Sequence, residues 1–427
     1  MKEKDFISPK IKKALPVVVH FEKEEQTSEE FFKLIKSANY NIEEPVCSKL
    51  SKIDAKTFLG KGLVEQTYLL SKDLEVDTVL INKNISASQQ RNLRKSLKCD
   101  VLDWTGLILE IFSLRARSFE GRMQVELAQL RYLSTRLIRG WTHLERQKGG
   151  HGLRGGPGET QLELDRRLLT IRIKQVNERL VKIKKQRELS GGARRRGGIP
   201  TVALVGYTNA GKSTLFNKLT NHQVYAADQL FATLDTTTRL LSTNSSEKIV
   251  VSDTVGFIKN LPPTLVTAFR ATLEETGQAQ LLLHVVDISD SGHLEQMEEV
   301  EKVLDQIGAS KIPTIIVYNK IDKCANQPSI IHRNADGEIG SVGVSAVSGQ
   351  GLDELIAAIE EKISGKKQFL TLRLEASQGK LRSLLYDWRV VCDETVLENG
   401  DFLIRLGLTR KELRILGQTS GLEDFAL

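Results

Sequence analysis

The stretch that decides the fold lies at residues 206–213 and reads Gly206-Tyr207-Thr208-Asn209-Ala210-Gly211-Lys212-Ser213. It has the pattern G-x-x-x-x-G-K-[ST] of a phosphate-binding loop. The apolar run 201–205 before it predicts a buried strand, and residues 214–219 after it predict a helix. In such a loop, successive backbone N–H groups and the helix N-terminus face an anionic phosphate. This context favours a phosphate site over a chance glycine-rich turn.

Residue types in the loop and after it assign roles to single side chains. Lys212 is expected to reach the β- and γ-phosphates, and the Ser213 hydroxyl is expected to bind Mg²⁺. Asp253-Thr254-Val255-Gly256 follows the apolar run 248–251. A carboxylate there holds the metal through water, and Gly256 lets a backbone N–H approach the γ-phosphate. These residues predict a nucleotide triphosphate site with magnesium.

Two further motifs specify the base. Asn319-Lys320-Ile321-Asp322 follows the apolar run 314–318, and Ser345-Ala346-Val347 follows residues 340–344. A carboxylate accepts from both N1–H and the exocyclic amine of guanine, a donor pair that adenine lacks, and the second motif can offer a backbone N–H to the guanine carbonyl. Either motif alone could be a helix cap or a turn. Four elements in this order at strand ends predict a GTPase domain.

A segment between the phosphate loop and Asp253 is interpreted as switch I, the loop that senses the γ-phosphate. It reads Phe231-Ala232-Thr233-Leu234-Asp235. Thr233 is the candidate for the second side-chain Mg²⁺ ligand, beside Ser213. A polar loop before a strand at 239–241 is the alternative, and the threonines at 236–238 leave the choice of ligand open.

The residue that orients the attacking water is not evident. Many GTPases carry a glutamine directly after the glycine of the Asp253–Gly256 motif, and here that position is Phe257. Either a partner supplies the catalytic group, or Asn209 helps to hold K⁺, which would neutralise developing charge. The catalytic residue stays unknown, and slow intrinsic turnover is predicted.

Length and composition limit the remaining possibilities. A chain of 427 residues is expected to hold two to four domains. It has no run approaching the roughly 18 apolar residues of a membrane span, and the first residues, Met1–Asp5, lack the apolar core of a secretion signal. The four cysteines are scattered, which indicates neither a zinc site nor a disulfide framework. We expect a cytoplasmic monomer.

Positive charge is concentrated in one segment. The net charge is +7, yet residues 166–197 hold twelve lysines and arginines against two glutamates. Leu169, Ile173, Val176, Leu180 and Ile183 recur there at coiled-coil spacing. We call such a row of apolar residues a seam. A comparable seam lies upstream and consists of Met123, Leu127, Leu130, Leu137, Trp141 and Leu144. The two seams predict an antiparallel helical hairpin, here called the arm.

A glycine-rich stretch, residues 148–159, lies between the seams and forms the predicted tip of the arm. Six glycines in ten positions are costly to order. The tip is therefore either a flexible connector or a loop that a partner orders. Arg154 and Arg194-Arg195-Arg196 are candidate phosphate contacts, which makes RNA the predicted partner. A solvated helix face is the other interpretation of this charge.

Four domains are predicted. They are an N-terminal α/β subdomain (1–110), the helical arm (111–197), a P-loop GTPase domain with a mixed, mostly parallel sheet (198–365) and a small α+β domain (366–427). In the first, residues 15–21 and 78–81 indicate strands and residues 28–38 and 86–97 indicate helices. Ser86 followed by Gln89 suits a capping box, and residues 60–62 indicate a turn before a helix. Residues 365–367 indicate a linker, and alternation from Phe369 indicates a strand.

The chain resembles the HflX GTPases over nearly its whole length. The resemblance is carried by the run 202–217, by Leu230–Asp235, by Asp253–Ile258, and by the glycine-rich tip followed by Glu159–Arg167. It implies an arm that docks on the large ribosomal subunit, with the tip reaching toward the peptidyl-transferase region. It also implies GTP-controlled binding, subunit splitting and rescue of stalled ribosomes. Peripheral membrane association is a further candidate location.

Two competing functions remain open at the sequence level. The first is a GTP-regulated assembly factor for the large subunit that does not split ribosomes. The second is a P-loop metabolic kinase, against which the motif Asn319–Asp322 argues, as does the lack of a domain for an acceptor substrate.

Overall fold

The computed structural model describes most of the chain. The described residues are 12–21, 28–138, 161–196, 199–221, 229–241, 248–259, 276–324, 331–334, 337–364, 368–388, 390–397 and 399–408, with 262, 265, 413, 415 and 416. The chain forms two compact units. The first unit comprises Met1–Gly191, Tyr225–Asp235 and Val255–Leu273, and the second comprises Gly192–Val224, Thr236–Thr254 and Glu274–Leu427.

The first unit contains a parallel sheet of five strands. They are β1 (Lys13–Phe21), β2 (Asn41–Ile42), β3 (Val46–Leu50), β4 (Thr78–Ile81) and β5 (Asp100–Leu102). Their order is β2-β1-β4-β5, and β3 pairs with β1 as well. Residues 14–19 of β1 are all buried, as expected for a parallel strand that is covered on both faces.

Among the described residues, four helices accompany this sheet. They are α1 (Ser28–Ser37), α2 (Lys61–Asp73), α3 (Ala87–Leu97) and α4 (Trp104–Arg115). The predicted strands and helices at 15–21, 28–38, 78–81 and 86–97 are confirmed. The capping box is present, since the Ser86 hydroxyl accepts from the Gln89 N–H and the Ser86 N–H donates to Gln89 Oε1. Gly60 is the N-cap of α2, so the predicted helix follows. The predicted turn at 60–62 is wrong in extent, because Lys61 and Gly62 are already the first two residues of α2.

Two long helices form the arm. They are α5 (Phe119–Ile138) and α6 (Gln161–Arg196). On α6, Val176 is fully buried. Leu169, Leu180 and Ile183 are half-buried between exposed neighbours, and Ile173 is half-buried as well. Arg172 Nε donates to Glu126 Oε1 of α5 over 2.6 Å, so the two helices lie side by side. The glycine-rich tip, with Trp141, Leu144 and Arg154, lies outside the described residues.

The second unit contains a seven-stranded sheet. Its strands are β6 (Thr201–Gly206), β7 (Thr237–Leu240), β8 (Val250–Asp253), β9 (Leu281–Asp287), β10 (Thr314–Asn319), β11 (Ile331–Arg333) and β12 (Ile339–Gly343). The order is β11-β12-β10-β9-β6-β8-β7. The edge pairs β11–β12 and β7–β8 are antiparallel, and the inner pairs are parallel. Its helices are α7 (Lys212–Thr220), α8 (His293–Gln306) and α9 (Leu352–Ser364). The predicted mixed, mostly parallel sheet is confirmed.

A small antiparallel sheet follows near the end of the chain. It consists of β13 (Gln368–Leu374), β14 (Val391–Val396) and β15 (Phe402–Leu408) in the order β13-β15-β14, with helix α10 (Gly379–Asp387). Leu385 of α10 and Ile404 and Leu406 of β15 are fully buried in its core. The predicted α+β character is thus confirmed. The exact limits of the four predicted domains remain predictions, and the predicted linker 365–367 lies outside the described residues.

Candidate GTP-binding site

The phosphate loop has a backbone that requires glycine at both ends. β6 ends at Gly206 and α7 begins at Lys212. Gly206 has φ 148°, and a Cβ there would lie 2.2 Å from the carbonyl oxygen of Val285. Gly211 has φ 92°, and its Cβ would lie 2.2 Å from Asn319 Nδ2. A side chain at either position would collide with fixed neighbours, so the loop is built for close backbone approach.

The Lys212 ammonium group is buried inside this loop. Its Nζ donates to the carbonyl oxygens of Gly206 at 3.0 Å and Tyr207 at 2.7 Å. Burial lowers the pKa of Lys212 to about 8, although attraction to Asp253 raises it in part. A buried cation that lacks a full counter-charge favours an anion, and a nucleotide phosphate would supply one.

Ser213 and Asp253 form the candidate metal position. Ser213 Oγ donates to Asp253 Oδ2 over 2.8 Å, and Asp253 is fully buried at the end of β8. The Thr254 hydroxyl donates to the carbonyl of Leu204 over 2.6 Å and fixes the chain just after Asp253. A hydroxyl and a carboxylate are hard oxygen ligands, which fit Mg²⁺. The part of the chain that the structure describes has no cluster of three or more acidic, histidine or cysteine ligands.

Asn319 joins the base-reading loops to the phosphate loop. Its Nδ2 donates to the carbonyl of Ala210 at 2.8 Å, and its Oδ1 accepts from the N–H of Ala346 at 3.0 Å. One buried amide therefore ties the Asn319–Asp322 motif to both the phosphate loop and the Ser345–Val347 motif. This contact brings three of the predicted motifs together at the ends of β6, β10 and β12.

The other residues of the base-reading loops have distinct environments. Lys320 has φ 65°, and its Nζ lies 2.6 Å from Asp287 Oδ2 at the end of β9. Ile321 is buried, and Asp322 is exposed. The buried Ser345 hydroxyl accepts from the N–H of Ser348 at 3.2 Å, whereas the Val347 side chain is exposed. An exposed carboxylate at Asp322 is accessible to a base.

The segment interpreted as switch I belongs to the first compact unit. Leu230, Phe231 and Leu234 are buried there. Asp235 Oδ2 accepts from the backbone N–H groups of Arg117 and Ser118, which places its carboxylate at the N-terminus of α5. The nucleotide contact of Asp235 and the metal-ligand role of Thr233 both stay predictions.

The end of the Asp253–Gly256 motif also falls in the first unit, since this unit includes Val255 and Gly256. Phe257 is 2% exposed. Its ring is part of a core and cannot orient water, as the sequence predicts.

The candidate RNA-binding residues Arg194–Arg196 lie at the end of α6, where the backbone is helical.

The structure singles out two residues that the sequence pattern does not: Thr208, which belongs to the predicted GTP-binding set, and His284, for which there was no prediction. The buried hydroxyl of Thr208 has no hydrogen-bond partner among the described residues, and nothing in the motif singles it out. His284 of β9 is buried, and its pKa is lowered to about 4 by burial and by the charge of Lys212. It lies in an apolar run between Leu283 and Val285, and the sequence analysis made no prediction for this run.

This fold and this site define a P-loop GTPase. Four family models match the chain: "GTP-binding GTPase N-terminal" at 25–113, "GTP-binding GTPase Middle Region" at 115–194, "50S ribosome-binding GTPase" at 201–320 and "HflX C-terminal domain" at 329–424. GTPase HflX of Escherichia coli is 47% identical over 91% of this chain and 92% of its own length. The chain belongs to the HflX family and hydrolyses GTP.

Other relatives are similar over most of their length. GTPase HflX of Magnetococcus marinus is 44% identical over 82% of this chain and 81% of its own length. A crystal structure of a GTP-binding protein from Sulfolobus solfataricus in complex with GDP is 26% identical, covering 83% of this chain and 99% of that one, with a TM-score of 0.45. Among the helices that the structure describes, none has the length and apolarity needed to cross a bilayer.

Proposed function

We propose that this GTPase is a nucleotide-operated switch that binds the large ribosomal subunit and splits stalled ribosomes. The observation that carries the proposal is that one chain of the HflX family joins its phosphate-loop and base-reading motifs by hydrogen bonds and also has a paired helical arm rich in positive charge. The matching family model is described as a 50S ribosome-binding GTPase. The twelve basic residues of segment 166–197 suit a partner made largely of RNA.

The proposed nucleotide contacts follow the motifs. The β- and γ-phosphates lie against the phosphate loop, Gly256 approaches the γ-phosphate, and Asp322 reads guanine. The full proposed set is Gly206, Tyr207, Thr208, Asn209, Ala210, Gly211, Lys212, Ser213, Phe231, Ala232, Thr233, Leu234, Asp235, Asp253, Thr254, Val255, Gly256, Asn319, Lys320, Ile321, Asp322, Ser345, Ala346 and Val347. Support comes from the contacts Ser213–Asp253 and Asn319–Ala346, which already join distant motifs.

Mg²⁺ is proposed to bind through Ser213 and Thr233, with Asp253 holding water ligands. When bound, the ion neutralises charge that develops on the phosphates. Lys212 adds a second positive charge, and Thr254 fixes the chain beside Asp253. Through this contact with the ion, Thr233 would hold switch I in place while the γ-phosphate is present. After hydrolysis the contact would be lost and switch I would be released.

Hydrolysis is proposed to be slow in the isolated protein. Phe257 is buried in the position where other GTPases carry the water-orienting glutamine. Either a ribosomal partner supplies the missing group, or K⁺ held with the help of Asn209 does. A turnover measurement with K⁺, with Na⁺ and with ribosomal subunits separates the two. High turnover of the isolated chain in Na⁺ contradicts both.

The arm is proposed to carry the ribosome contact, with Arg154 and Arg194–Arg196 on RNA phosphates. We propose accordingly that the protein works in the cytoplasm, on ribosomes, and, as a separate proposal, that it is a monomer. Peripheral association with a membrane is the alternative location.

Sedimentation with large subunits tests the binding step. We expect more protein in the subunit pellet with a non-hydrolysable GTP analogue than with GDP. If the same fraction of the protein sediments with the subunits without nucleotide, with GDP and with the analogue, the proposal that the nucleotide controls ribosome binding is wrong.

Adding the protein and GTP to intact ribosomes tests the splitting step. Free subunits in a sucrose gradient support splitting. Intact ribosomes, together with nucleotide-dependent binding to isolated large subunits, favour the assembly factor instead.

A further inference from the structure

The segment 229–235 is anchored at two places on the first compact unit, and its apolar anchor lies at its start. The Leu230 N–H donates to the hydroxyl of Ser37, the last residue of α1, over 3.0 Å. The Phe231 ring meets the Phe112 ring of α4 edge-on, with centroids 4.7 Å apart. Phe231 also has φ 56°, a backbone conformation that bulky residues rarely adopt without being held. The start of the segment is therefore fixed by side-chain packing.

The polar anchor is at the end of the segment, where Asp235 binds Arg117 and Ser118, the two residues that precede α5. One carboxylate oxygen accepts from the N–H groups of Arg117 at 3.0 Å and Ser118 at 2.7 Å, and the other accepts from the Ser118 hydroxyl. The Ser118 oxygen in turn accepts from the Gly121 N–H at 2.8 Å. A carboxylate at a helix N-terminus satisfies unpaired donors and interacts favourably with the helix dipole. Asp235 thus stabilises the first turn of the arm helix from a position 117 residues away along the chain.

We infer that the contact between Asp235 and Ser118 is a latch that couples switch I to the first turn of α5. Thr233, the proposed metal ligand, lies two residues from Asp235. A displacement of Thr233 therefore changes the position of the Asp235 carboxylate and its hydrogen bonds to Ser118. Ser118, Gly121 and Phe112 are then positioning residues for switch I. By linkage, a nucleotide that shifts switch I changes the stability of the α5 first turn, and a change in that turn alters nucleotide affinity by the same factor. This inference rests on the proposed role of 231–235 as the nucleotide-sensing segment.

Gly121 offers a sharp way to open the latch. A Cβ at Gly121 would lie 2.0 Å from Asp235 Oδ1, so Gly121→Ala must displace the carboxylate. Alanine otherwise favours a helix over glycine, and the second contact of the new Cβ, 3.0 Å from Ser118 Oγ, falls on the other partner of the same latch. Gly62 of α2 has no atom within 4 Å of the position of its Cβ. Gly62→Ala is therefore the matched control, because it makes the same change in a helix without touching Asp235.

The experiment is hydrogen exchange on the full chain, with GDP and with a non-hydrolysable GTP analogue. The reporters are the amides of Gly121 and Arg122, which bond to Ser118. In the wild type and in Gly62→Ala, we expect exchange at these amides to differ at least threefold between the two nucleotides. In Gly121→Ala and Asp235→Ala, we expect this difference to vanish. In Asp235→Ala, we also expect exchange with GDP to be faster, by at most about 30-fold, because complete loss of a helix cap would raise it by roughly 2- to 30-fold and the Ser118 hydroxyl remains.

Two outcomes overturn the latch. One is equal exchange with both nucleotides in the wild type, and the other is a nucleotide-dependent difference that survives in Gly121→Ala and Asp235→Ala. Affinities for a fluorescent GTP analogue are measured on the same samples. If the wild type binds the analogue but the exchange rates of its α5 amides do not change, the proposed latch is wrong and the proposed GTP site is still supported. If the analogue does not bind, the proposed function itself fails.

Discussion

At the scale of single residues, Lys212 gives the clearest link between environment and ligand. Burial lowers its pKa to about 8, and a bound triphosphate favours the charged form. We therefore expect GTP binding near pH 9 to take up close to one proton per molecule, and at pH 6.5 this lysine should contribute none. Calorimetry in buffers of different ionisation enthalpy measures the uptake. Binding at pH 9 without proton uptake would show that Lys212 stays charged in the free protein.

His284 predicts a pH dependence of folding. Its pKa is lowered to about 4 by burial and by Lys212, so the unfolded chain takes up a proton at a pH where the native state does not. Its contribution is complete above pH 6.5 and is lost progressively as the pH falls toward 4. By pH 5 the loss is about 2 kcal/mol.

Urea unfolding at pH 7 and pH 5 checks this value. We expect His284→Gln to reduce the drop in unfolding free energy, whereas His332→Gln, at an exposed position, should leave the drop as in the wild type. The same drop in all three proteins would assign the acid sensitivity to other groups.

Asp322 predicts the base preference. Its exposed carboxylate can accept two donors from guanine, and an amide cannot accept both. Asp322→Asn should weaken GTP binding tenfold or more and shift preference toward xanthosine triphosphate, since hydrogen bonds to a charged group contribute about 1.5–3 kcal/mol. Competition binding with both nucleotides measures the shift. Asp393→Asn, in the C-terminal sheet, is the control, and unchanged GTP affinity in Asp322→Asn would point to another base-reading residue.

At the scale of elements, the packing of α6 can be tested with two valines of this helix, one in the seam and one outside it. Val176 is fully buried, and Val181, five residues later on the same helix, is 53% exposed. We expect Val176→Ala to lower the opening free energy of α6 by about 1–3 kcal/mol, through lost burial and a cavity, and Val181→Ala to change it little. Hydrogen exchange of the α6 amides measures both. Equal effects would mean that the seam does not pack as the structure shows.

The elements also differ in whether they could be predicted from the sequence. The phosphate loop, the capping box at Ser86 and the seam of α6 were predictable, because each is encoded by residues a few positions apart. Helix α4 was not, since it is apolar nearly all round and shows no amphipathic period. The docking of Asp235 on Ser118 was also out of reach, because no local pattern marks a contact between residues so far apart in sequence.

At the scale of the whole molecule, the distribution of charge predicts how ribosome binding depends on salt. The net charge is +7, but segment 166–197 alone holds twelve basic and two acidic residues. Each phosphate that a protein neutralises adds about 0.7–0.9 to the slope of log affinity against log salt concentration. Replacing Arg194, Arg195 and Arg196 by glutamine should therefore weaken large-subunit binding and reduce this slope by about 2–3.

A second triple variant separates a local contact from a general charge effect. Lys311, Lys323 and Lys380 are exposed and lie outside the arm, so replacing them by glutamine removes the same charge elsewhere. Filter binding to large subunits across a salt series measures both variants. We expect the control to keep the wild-type slope, because only basic residues at the interface release bound counterions. If the two variants lose slope equally, the ribosome responds to net charge, and the end of α6 has no special part in binding.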